Sequence, residues 1–368
     1  MFSGRPVKAE IDLEAFRHNI TVVESLVGES ELMLVIKADA YGHGLIPMAK
    51  ATLGKDLAVA VPEELARLLS AGIKNRVWVL EGPFSQACLE LSTSTDVVWV
   101  IHSLWQLELI KARTSTHQLN ICIKLDTGMH RLGFNQNDLV VCLSQVSRMQ
   151  NINIVSTMSH FSKSESAISP SLESQIMLYE KMLSENNISS FPQSLANSGA
   201  ILSHCHSHRE RVRPGIMLYG DVDPEQCLDQ IESTQLKPVM LFKSAIISLQ
   251  SIPAGEGVGY GSTWIAERDS IIATVAGGYG DGYPRHAPNG TPIAVTLANN
   301  EVEIASLVGT VSMDMLSIDV TDIVGVKVGG QVELWGADVS VNEIARLCGT
   351  ISYELLCGVT ARVPRNYL

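Results

Sequence analysis

The stretch Met33-Leu34-Val35-Ile36-Lys37-Ala38-Asp39-Ala40-Tyr41-Gly42-His43-Gly44 begins with four apolar residues and continues directly into a lysine. A short, continuous apolar run is typical of a strand that is buried on both faces, as in a parallel sheet. Seven further strand candidates follow, at residues 57–61, 77–80, 97–101, 119–125, 152–158, 193–196 and 211–213; most are near-continuous apolar runs, and the last two carry the weakest pattern. Segments with helical periodicity lie before or between these runs, at residues 13–26, 62–69, 104–112, 137–147 and 171–185. Eight strands separated by helices predict an α/β fold with an N-terminal (β/α)8 TIM barrel.

The alternative for this part of the chain is an open, Rossmann-type sheet, but no G-x-G-x-x-G motif follows the first strand. From about residue 238 the pattern changes. Runs of β-favouring residues, separated by Gly, Pro and Asn, occur at residues 239–252, 270–275, 292–297, 302–308, 315–320 and 331–335, and helical periodicity returns at 341–347. The sequence therefore predicts a barrel domain over residues 1–236 and a C-terminal, mostly-β domain over residues 237–368.

Composition excludes several classes of protein. The 368 residues are 46% apolar, which excludes a disordered chain, and the net charge of −12 argues against a nucleic-acid partner. No apolar run approaches the roughly 18 residues of a membrane helix, and residues 1–12 lack the apolar segment of a secretory signal. The seven cysteines form no C-x-x-C pair, and His204, His206 and His208 match no ligand spacing. We therefore expect a cytoplasmic protein that has no disulfide framework, no metal and no membrane contact.

Lys37 is the first candidate functional residue. Lysine is rarely buried without a partner, yet this one ends an apolar strand. The carboxyl ends of barrel strands carry the active site, and a lysine that is desolvated there loses its proton more easily and becomes an amine nucleophile, as Schiff-base chemistry requires. The alternative is a lysine that reaches the rim of the barrel or pairs with Asp39.

The same stretch closely resembles the pyridoxal-phosphate attachment motif of the alanine racemase family. Further motifs follow in the order of that family: Lys124-Leu125-Asp126-Thr127-Gly128-Met129-His130-Arg131-Leu132-Gly133-Phe134, Met158-Ser159-His160-Phe161, Asn197-Ser198, Arg211-Val212-Arg213-Pro214-Gly215-Ile216, Val258-Gly259-Tyr260-Gly261, Gly278-Tyr279-Gly280-Asp281-Gly282-Tyr283-Pro284-Arg285, Val311-Ser312-Met313-Asp314 and Tyr353-Glu354. The resemblance extends over essentially the whole chain. One departure is Asp39, at a position where the family commonly has Asn.

The resemblance implies an isomerase, a pyridoxal 5'-phosphate-dependent amino-acid racemase that interconverts L-alanine and D-alanine. Lys37 would hold the cofactor as an internal aldimine and then act as one of two bases. Racemisation removes a proton from one face of the α-carbon and returns one to the other face, and the resemblance assigns the second face to Tyr260. A free phenol has a pKa near 10, so Tyr260 needs electrostatic help to act as a base. Without the resemblance, Tyr260 would be interpreted as an aromatic residue of a turn or edge strand.

The resemblance places Arg213 at the pyridine nitrogen of the cofactor, with His160 beside it and reaching toward Tyr260. Because a guanidinium stays protonated, it keeps that nitrogen unprotonated, and the ring is then a weaker electron sink. Taken alone, Arg213 could form a surface ion pair and His160 could be a hydrogen-bonded core histidine.

Three positions are implied for the substrate side. Arg131 would contact the phenolic oxygen of the cofactor and the substrate carboxylate. Lys124, which is carbamylated in many members of the family, would position Arg131, and the backbone at Met313 would bind the carboxylate. The alternatives are a pair between Lys124 and Asp126, and a Met313 side chain that fills a gap in the core.

The remaining implied positions surround the phosphate and the entrance. Cofactor contacts fall on Tyr41, Asn197, Ser198, Gly215, Ile216 and Tyr353, of which Ser198 could also be a helix N-cap and Gly215 a turn residue. The entrance would be narrowed by Tyr279, Arg285, Ile351 and Tyr353, and a narrow entrance favours a small substrate.

The resemblance also implies a two-fold homodimer, in which Tyr260 and Met313 of one subunit complete the barrel site of the other. Such an enzyme either supplies D-alanine for peptidoglycan or catabolises it. Three alternatives use related folds. They are a broad-specificity or serine racemase, a non-catalytic single-barrel protein of vitamin B6 homeostasis, which lacks the β domain and the opposing tyrosine, and a decarboxylase, in which an acidic residue normally meets the pyridine nitrogen.

Overall fold

A computed structural model describes residues 4–93, 96–113, 117–164, 169–222 and 235–368; Cys227, one of the seven cysteines, lies outside these ranges. After strand β1 (Lys8–Ile11), eight strands close into a parallel barrel, so the predicted TIM barrel is confirmed and the open sheet is wrong. The barrel strands are β2 (Glu31–Val35), β3 (Asp56–Val59), β4 (Val77–Val79), β5 (Val97–Ile101), β6 (Leu119–Lys124), β7 (Ile152–Met158), β8 (Gln193–Asn197) and β9 (Arg211–Arg213).

Helices surround the barrel and return the chain to the start of each next strand. Their bounds are Leu13–Val27, Leu45–Lys50, Pro62–Ser70, Gln86–Leu89, Leu104–Lys111, Gln136–Val146, Pro170–Glu185 and Ser198–Ser203, with short 3-10 turns at Glu90–Thr93, Cys205–Ser207 and Ile216–Tyr219. Local sequence explains where several of them begin. The Asp12 side chain accepts a hydrogen bond from the amide of Ala15 (2.8 Å) and caps the first helix. Pro62 stands in the first turn of its helix, where its missing N–H is not needed.

The C-terminal part is built on strands, as predicted. These are β10 (Met240–Ile252), β11 (Gly257–Val258), β12 (Trp264–Ile265), β13 (Ser270–Ala276), β14 (Pro292–Thr296), β15 (Val302–Leu307), β16 (Met315–Asp319), β17 (Gln331–Trp335) and β18 (Arg365–Tyr367), with a 3-10 turn at Tyr260–Ser262 and helices at Val341–Leu347 and Ser352–Gly358. Eight strands form one sheet in the order β13-β16-β15-β14-β17-β10-β1-β18. The long strand β10 also pairs with β13.

The two ends of the chain meet in this sheet. Strand β1 pairs antiparallel with β10 and parallel with β18. The sequence pattern misses both end strands, because each has only three or four residues and neither contains a continuous apolar run. Their pairing carries the C-terminal residues to the barrel, close to the carboxyl end of β2.

Apolar packing joins the two parts of the molecule into a common core. Trp78 and Trp99, in neighbouring barrel strands, are fully buried, and in the sheet the rings of Phe242 and Trp335 lie 4.6 Å apart. Of the helices in the described part of the chain, none has both the length and the apolarity that a membrane span requires.

Candidate active site

A cavity of about 430 Å³ opens at the carboxyl end of the barrel strands. Eleven of the residues that the sequence singles out line it together: Lys37, Tyr41, Lys124, Arg131, His160, Asn197, Ser198, Arg213, Gly215, Ile216 and Tyr353. Ten of them are delivered by the strands and loops of the barrel, and only Tyr353 comes from the C-terminal part. The wall also includes residues for which the sequence predicts no role, among them Glu81, Leu132 and Ser159, of which the last two lie within the quoted motifs.

Lys37 begins a turn of unusual handedness, which we call the lysine turn (Lys37–Tyr41). Four consecutive residues, Ala38, Asp39, Ala40 and Tyr41, have φ between 51° and 55°, in the left-handed helical region. For residues other than glycine, this conformation costs roughly 1–2 kcal/mol each, so surrounding contacts must maintain it. Within the turn, the amide of Gly42 donates to the carbonyl of Ala38 (3.0 Å).

Asp39, the departure from the family pattern, stabilises this turn from outside the cavity. Its carboxylate accepts hydrogen bonds from the amide of Leu45 (3.1 Å) and from the guanidinium of Arg67 (2.7 Å). The backbone amide of Asp39 in turn donates to the carboxylate of Glu64 (3.3 Å). The carboxylate of Asp39 is therefore bound by the backbone amide of Leu45 and by Arg67 of the helix Pro62–Ser70. The suggested pair between Asp39 and Lys37 is replaced by the pair with Arg67.

The surroundings of Lys37 favour its neutral amine. Burial lowers the pKa of Lys37, and the positive charge of Arg131 lowers it further. The carboxylates of Glu81 and Glu64 act in the opposite direction. Neither glutamate carries a sequence signal that separates it from the other acidic residues of the chain, and only the fold brings them near the lysine.

Arg213 and His160 are adjacent, deep in the cavity wall. The Arg213 guanidinium, only 5% exposed, donates to the hydroxyl of Ser194 (2.7 Å) and to the carbonyls of Ser159 (2.7 Å) and Leu195 (3.0 Å). One of its nitrogens lies 3.3 Å from Nδ1 of His160. The suggestion of a surface ion pair for Arg213 is therefore wrong.

Burial and neighbouring cations determine the charge states of this pair. Burial lowers the pKa of Arg213 to about 10, so its guanidinium remains protonated at neutral pH. Burial, followed by the charges of Arg213 and Lys124, lowers the pKa of His160 well below its usual value. His160 is therefore neutral, and its Nδ1 can accept a hydrogen bond from Arg213.

Lys124 ends strand β6 and is 9% exposed. Burial lowers its pKa to about 8, helped by the positive charges of Arg213 and Arg131. Together with Lys37, these residues place four basic side chains around one cavity in a chain whose net charge is −12. Such a concentration of positive charge is suited to an anionic ligand.

The other side of the cavity offers a cradle of hydroxyl and backbone groups. The Ser198 hydroxyl accepts hydrogen bonds from the amides of Gly215 (2.9 Å) and Met217 (3.5 Å). A Cβ on Gly215 would lie 2.8 Å from the hydroxyl of Tyr41, so a side chain does not fit there. The N-cap of the helix Ser198–Ser203 is Asn197, whose side chain accepts from the amide of Ala200 (3.1 Å), and the suggestion that Ser198 is the cap is wrong.

Five of the singled-out residues are absent from the cavity wall formed by the described part of this single chain. Tyr260, Met313, Tyr279 and Ile351 are 74%, 51%, 39% and 61% exposed, and Arg285 is also exposed. The alternative in which the Met313 side chain fills a gap in the core is therefore wrong. Tyr279 and Met313 lie on adjoining loops, since the amide of Gly280 donates to the carbonyl of Met313 (2.8 Å).

A second polar cluster lies outside the cavity. Glu173 comes within 3.0 Å of Nε2 of His206, and the ring of His204 lies edge-on to that of His206. Donor atoms of all three residues are within 4.8 Å of one another. The histidines match no ligand spacing in the sequence, and no sequence signal associates Glu173 with them. The contact between Glu173 and His206 is half exposed, and the expectation of no metal remains a prediction.

A closed parallel barrel with a lysine, a buried arginine and a hydroxyl cradle at the carboxyl end of its strands is the architecture of a barrel enzyme with an anionic ligand. Residues 11–223 match the family described as "Alanine racemase, N-terminal domain", and residues 239–367 match "Alanine racemase, C-terminal domain". The chain belongs to the alanine racemase family, as its motifs predict.

Individual relatives cover nearly the full chain. "Alanine racemase, catabolic" of Pseudomonas putida is 40% identical over 366 residues, 99% of each chain, and "Alanine racemase, biosynthetic" of Pseudomonas aeruginosa is 41% identical over 366 residues, again 99% of each. The crystal structure of biosynthetic alanine racemase from Pseudomonas aeruginosa has a TM-score of 0.91 at 40% identity and covers 99% of this chain and 100% of that one.

Proposed function

We propose that this protein is an alanine racemase that uses pyridoxal 5'-phosphate to interconvert L-alanine and D-alanine. One observation carries the proposal: Lys37, Arg131, His160 and Arg213 line a single cavity in a chain that is about 40% identical to alanine racemases over nearly its whole length. When bound, this cofactor supplies an aldehyde that links to a lysine amine and a ring that stabilises negative charge on the substrate α-carbon.

The residues of the cavity fit such a group. A phosphate needs hydroxyl and N–H donors, and the hydroxyls of Ser198, Tyr41 and Tyr353 lie beside the backbone of Gly215 and Ile216. Asn197 caps the helix Ser198–Ser203, whose first residue supplies one of these hydroxyls. The absence of room for a side chain at Gly215 supports close approach of the phosphate to the backbone there.

Arg213 is suited to the ring nitrogen of the cofactor. Its guanidinium is held by the hydroxyl of Ser194 and the carbonyls of Ser159 and Leu195, so its orientation is fixed before any ligand binds. A protonated guanidinium donates a hydrogen bond and does not transfer its proton at neutral pH. His160, with Nδ1 directed to Arg213, keeps Nε2 for a contact on its other side, which we assign to the Tyr260 hydroxyl.

Lys37 and Tyr260 are the two bases in this proposal. Lys37, with its lowered pKa, would exchange a proton with one face of the α-carbon, and Tyr260 with the opposite face. Because Tyr260 is 74% exposed on its own chain, we infer that it enters the cavity of a second copy. The site is then completed only in a two-fold homodimer.

Substrate selection follows from the same assembly. Arg131, positioned by Lys124, would bind the substrate carboxylate together with the backbone at Met313. Tyr279, Arg285, Ile351 and Tyr353 would narrow the entrance and favour alanine over larger amino acids. A broad-specificity or serine racemase is not favoured, because the relatives at about 40% identity are alanine racemases.

Domain limits, location and metabolic role complete the proposal. We assign residues 1–236 to the cofactor-binding barrel and residues 237–368 to the domain that completes the partner's site. The cysteines in the described part of the chain are free thiols, which supports a cytoplasmic location. Relatives of both biosynthetic and catabolic description are equally similar, so the enzyme would either supply D-alanine for peptidoglycan or degrade it.

Chemical trapping tests the proposal most simply. Borohydride reduction of the purified protein, followed by peptide mapping, should place a pyridoxyl group on Lys37. In a separate assay of the unreduced protein, the optical rotation of L-alanine should be lost. A Lys111→Met variant is the matched control, because Lys111 is a surface lysine that pairs with Glu108 and does not line the cavity. A Lys37 peptide that carries no cofactor would contradict the proposal.

A further inference from the structure

The lysine turn is held from outside the barrel by the end of the chain. We call Arg365–Tyr367, strand β18, the tail strand. Nε of Arg365 donates a hydrogen bond to the carbonyl of Gly42 (2.7 Å), directly after the left-handed residues. The other guanidinium nitrogens donate to the carbonyls of Val359 (2.8 Å), Val363 (3.2 Å) and Thr360 (3.3 Å). One arginine thus joins the lysine turn to the loop that follows the helix Ser352–Gly358.

Tyr367 makes the second contact. Its hydroxyl donates a hydrogen bond to the carbonyl of His43 (3.1 Å). The same hydroxyl occupies the space beside Gly44, where a Cβ would lie 2.1 Å from it. At Gly42, a Cβ would lie 2.1 Å from the carbonyl oxygen of Leu356, in the helix that carries Tyr353. Both glycines also have positive φ, 79° and 100°, so the turn and the C-terminal residues fit closely along this edge.

The tail strand is itself fixed in place. It pairs with β1, with Ala9 opposite Arg365 and Ile11 opposite Tyr367. Beyond it, the amide of Leu368 donates to the carbonyl of Ile11 (2.9 Å). The contacts to the lysine turn therefore come from a strand of the C-terminal sheet and not from a loose terminus.

We propose that Arg365 and Tyr367 are positioning residues that hold the lysine turn in its left-handed form and so keep Lys37 directed into the cavity. The inference rests on the proposed function, in which Lys37 carries the cofactor. Left-handed residues other than glycine persist only where surrounding contacts determine them. Lys37 immediately precedes four such residues, so a change in their φ and ψ would rotate the lysine backbone and displace its amine.

The test compares variants of the cofactor-loaded enzyme by two readouts other than activity. The first is the dissociation constant of pyridoxal phosphate, measured by dilution, and the second is the pH midpoint at which the visible absorbance of the lysine-bound cofactor titrates. The variants are Arg365→Met, Arg365→Lys and Tyr367→Phe. Arg268→Met is the matched control, since Arg268 pairs with Asp322 on the surface of the C-terminal part.

Arg365→Met removes the four hydrogen bonds of the guanidinium, including the one that reaches Gly42 beside the lysine turn, and should raise the dissociation constant about tenfold and displace the titration midpoint. Arg365→Lys keeps a cationic donor and should recover part of both effects. Tyr367→Phe should change the dissociation constant and the titration midpoint in the same direction as Arg365→Met but by less. Arg268→Met should match the wild type.

Wild-type values of both readouts in Arg365→Met and Tyr367→Phe would overturn the inference, even if Arg365→Met lowered the melting temperature, because a merely structural role changes stability alone. If Arg365→Met does not fold, Tyr367→Phe decides by the same readouts. A wild-type protein that binds no cofactor at Lys37 would contradict the proposed function and this inference together, whereas a loaded wild type with unaffected variants would contradict only the inference.

Discussion

The barrel cavity and the C-terminal face that carries Tyr260 differ in how far a single chain completes them. In the barrel, four basic side chains gather around one cavity; Lys124 and Arg213 are buried, and Arg213 is held by Ser194, Ser159 and Leu195. On the C-terminal face, Tyr260, Met313 and Ile351 are all more than half exposed. Exposed aromatic and apolar side chains concentrated in functional motifs mark a surface that another molecule covers. In the proposed function, one half of the site is thus built within the chain, and the other half is presented outward to a second copy.

The first prediction concerns the barrel cavity and has the largest expected effect. In the proposed function Lys37→Ala removes both the cofactor attachment and one base, so alanine racemisation should fall by at least about 10⁴-fold. Polarimetry with L-alanine and with D-alanine measures the loss in each direction. Lys111→Met should retain full activity, and a Lys37→Ala enzyme within tenfold of the wild type would remove Lys37 from its role.

The second prediction concerns the outward half. Tyr260→Phe keeps the ring but removes the hydroxyl that we propose transfers the proton, so kcat should fall by about 10³-fold while the cofactor stays bound to Lys37. Racemisation rates together with the visible spectrum of the bound cofactor separate the two effects. Full activity in Tyr260→Phe would contradict the two-base assignment.

The third prediction concerns the contacts that hold the loops of Tyr279 and Met313 in place. The Asp281 carboxylate, buried between the loops of Tyr279 and Met313, makes two 2.6 Å contacts with the Arg5 guanidinium and accepts from the amide of Gly278 (3.0 Å). These contacts outweigh burial and lower the pKa of Asp281 below its usual 3.8. Asp281→Asn should therefore reduce the free energy of unfolding at pH 7 by about 3 kcal/mol.

The difference in the free energy of unfolding between the wild type and Asp281→Asn depends on pH, because the pKa of Asp281 is lowered in the folded state. Because the carboxyl group binds its proton more weakly in the folded state, its stabilisation is present above pH 3.8 and is lost as the pH falls through the lower, folded-state pKa. Urea unfolding of both proteins between pH 7 and pH 3 measures this. Asp322→Asn, which affects only a surface pair with Arg268, is the control, and a difference that grows toward low pH would contradict the assignment.

The fourth prediction is the smallest. Ile351 precedes the helix of Tyr353 and is 61% exposed, so Ile351→Ala should widen the proposed entrance with little effect on folding. The rate for serine relative to alanine should rise by about threefold, within the range that one or two methylene groups contribute to discrimination. An unchanged ratio would exclude Ile351 from the entrance.

Sequence predicted the barrel because most of its strands are near-continuous apolar runs and helical periodicity lies between several of them, although β8 and β9 contain few apolar residues. It failed at β1 and β18, whose three or four residues carry no such run and are placed by pairing between the two ends of the chain. In the cavity, the family motifs identified the residues that gather around Lys37. The left-handed turn, the Arg67 clamp on Asp39 and the nearness of Glu81 arise from tertiary contacts, which single-residue patterns do not encode.

The central claim is that Lys37 of one subunit and Tyr260 of another form one site, and mixed dimers test it directly. Lys37→Ala and Tyr260→Phe chains, each nearly inactive alone, are unfolded together in equal amounts and refolded with cofactor. If the site is shared, half of the dimers are mixed and each holds one intact site, so about one quarter of wild-type activity should return. Activity that stays at the level of the separate variants, in a sample shown to contain mixed dimers, would contradict the account.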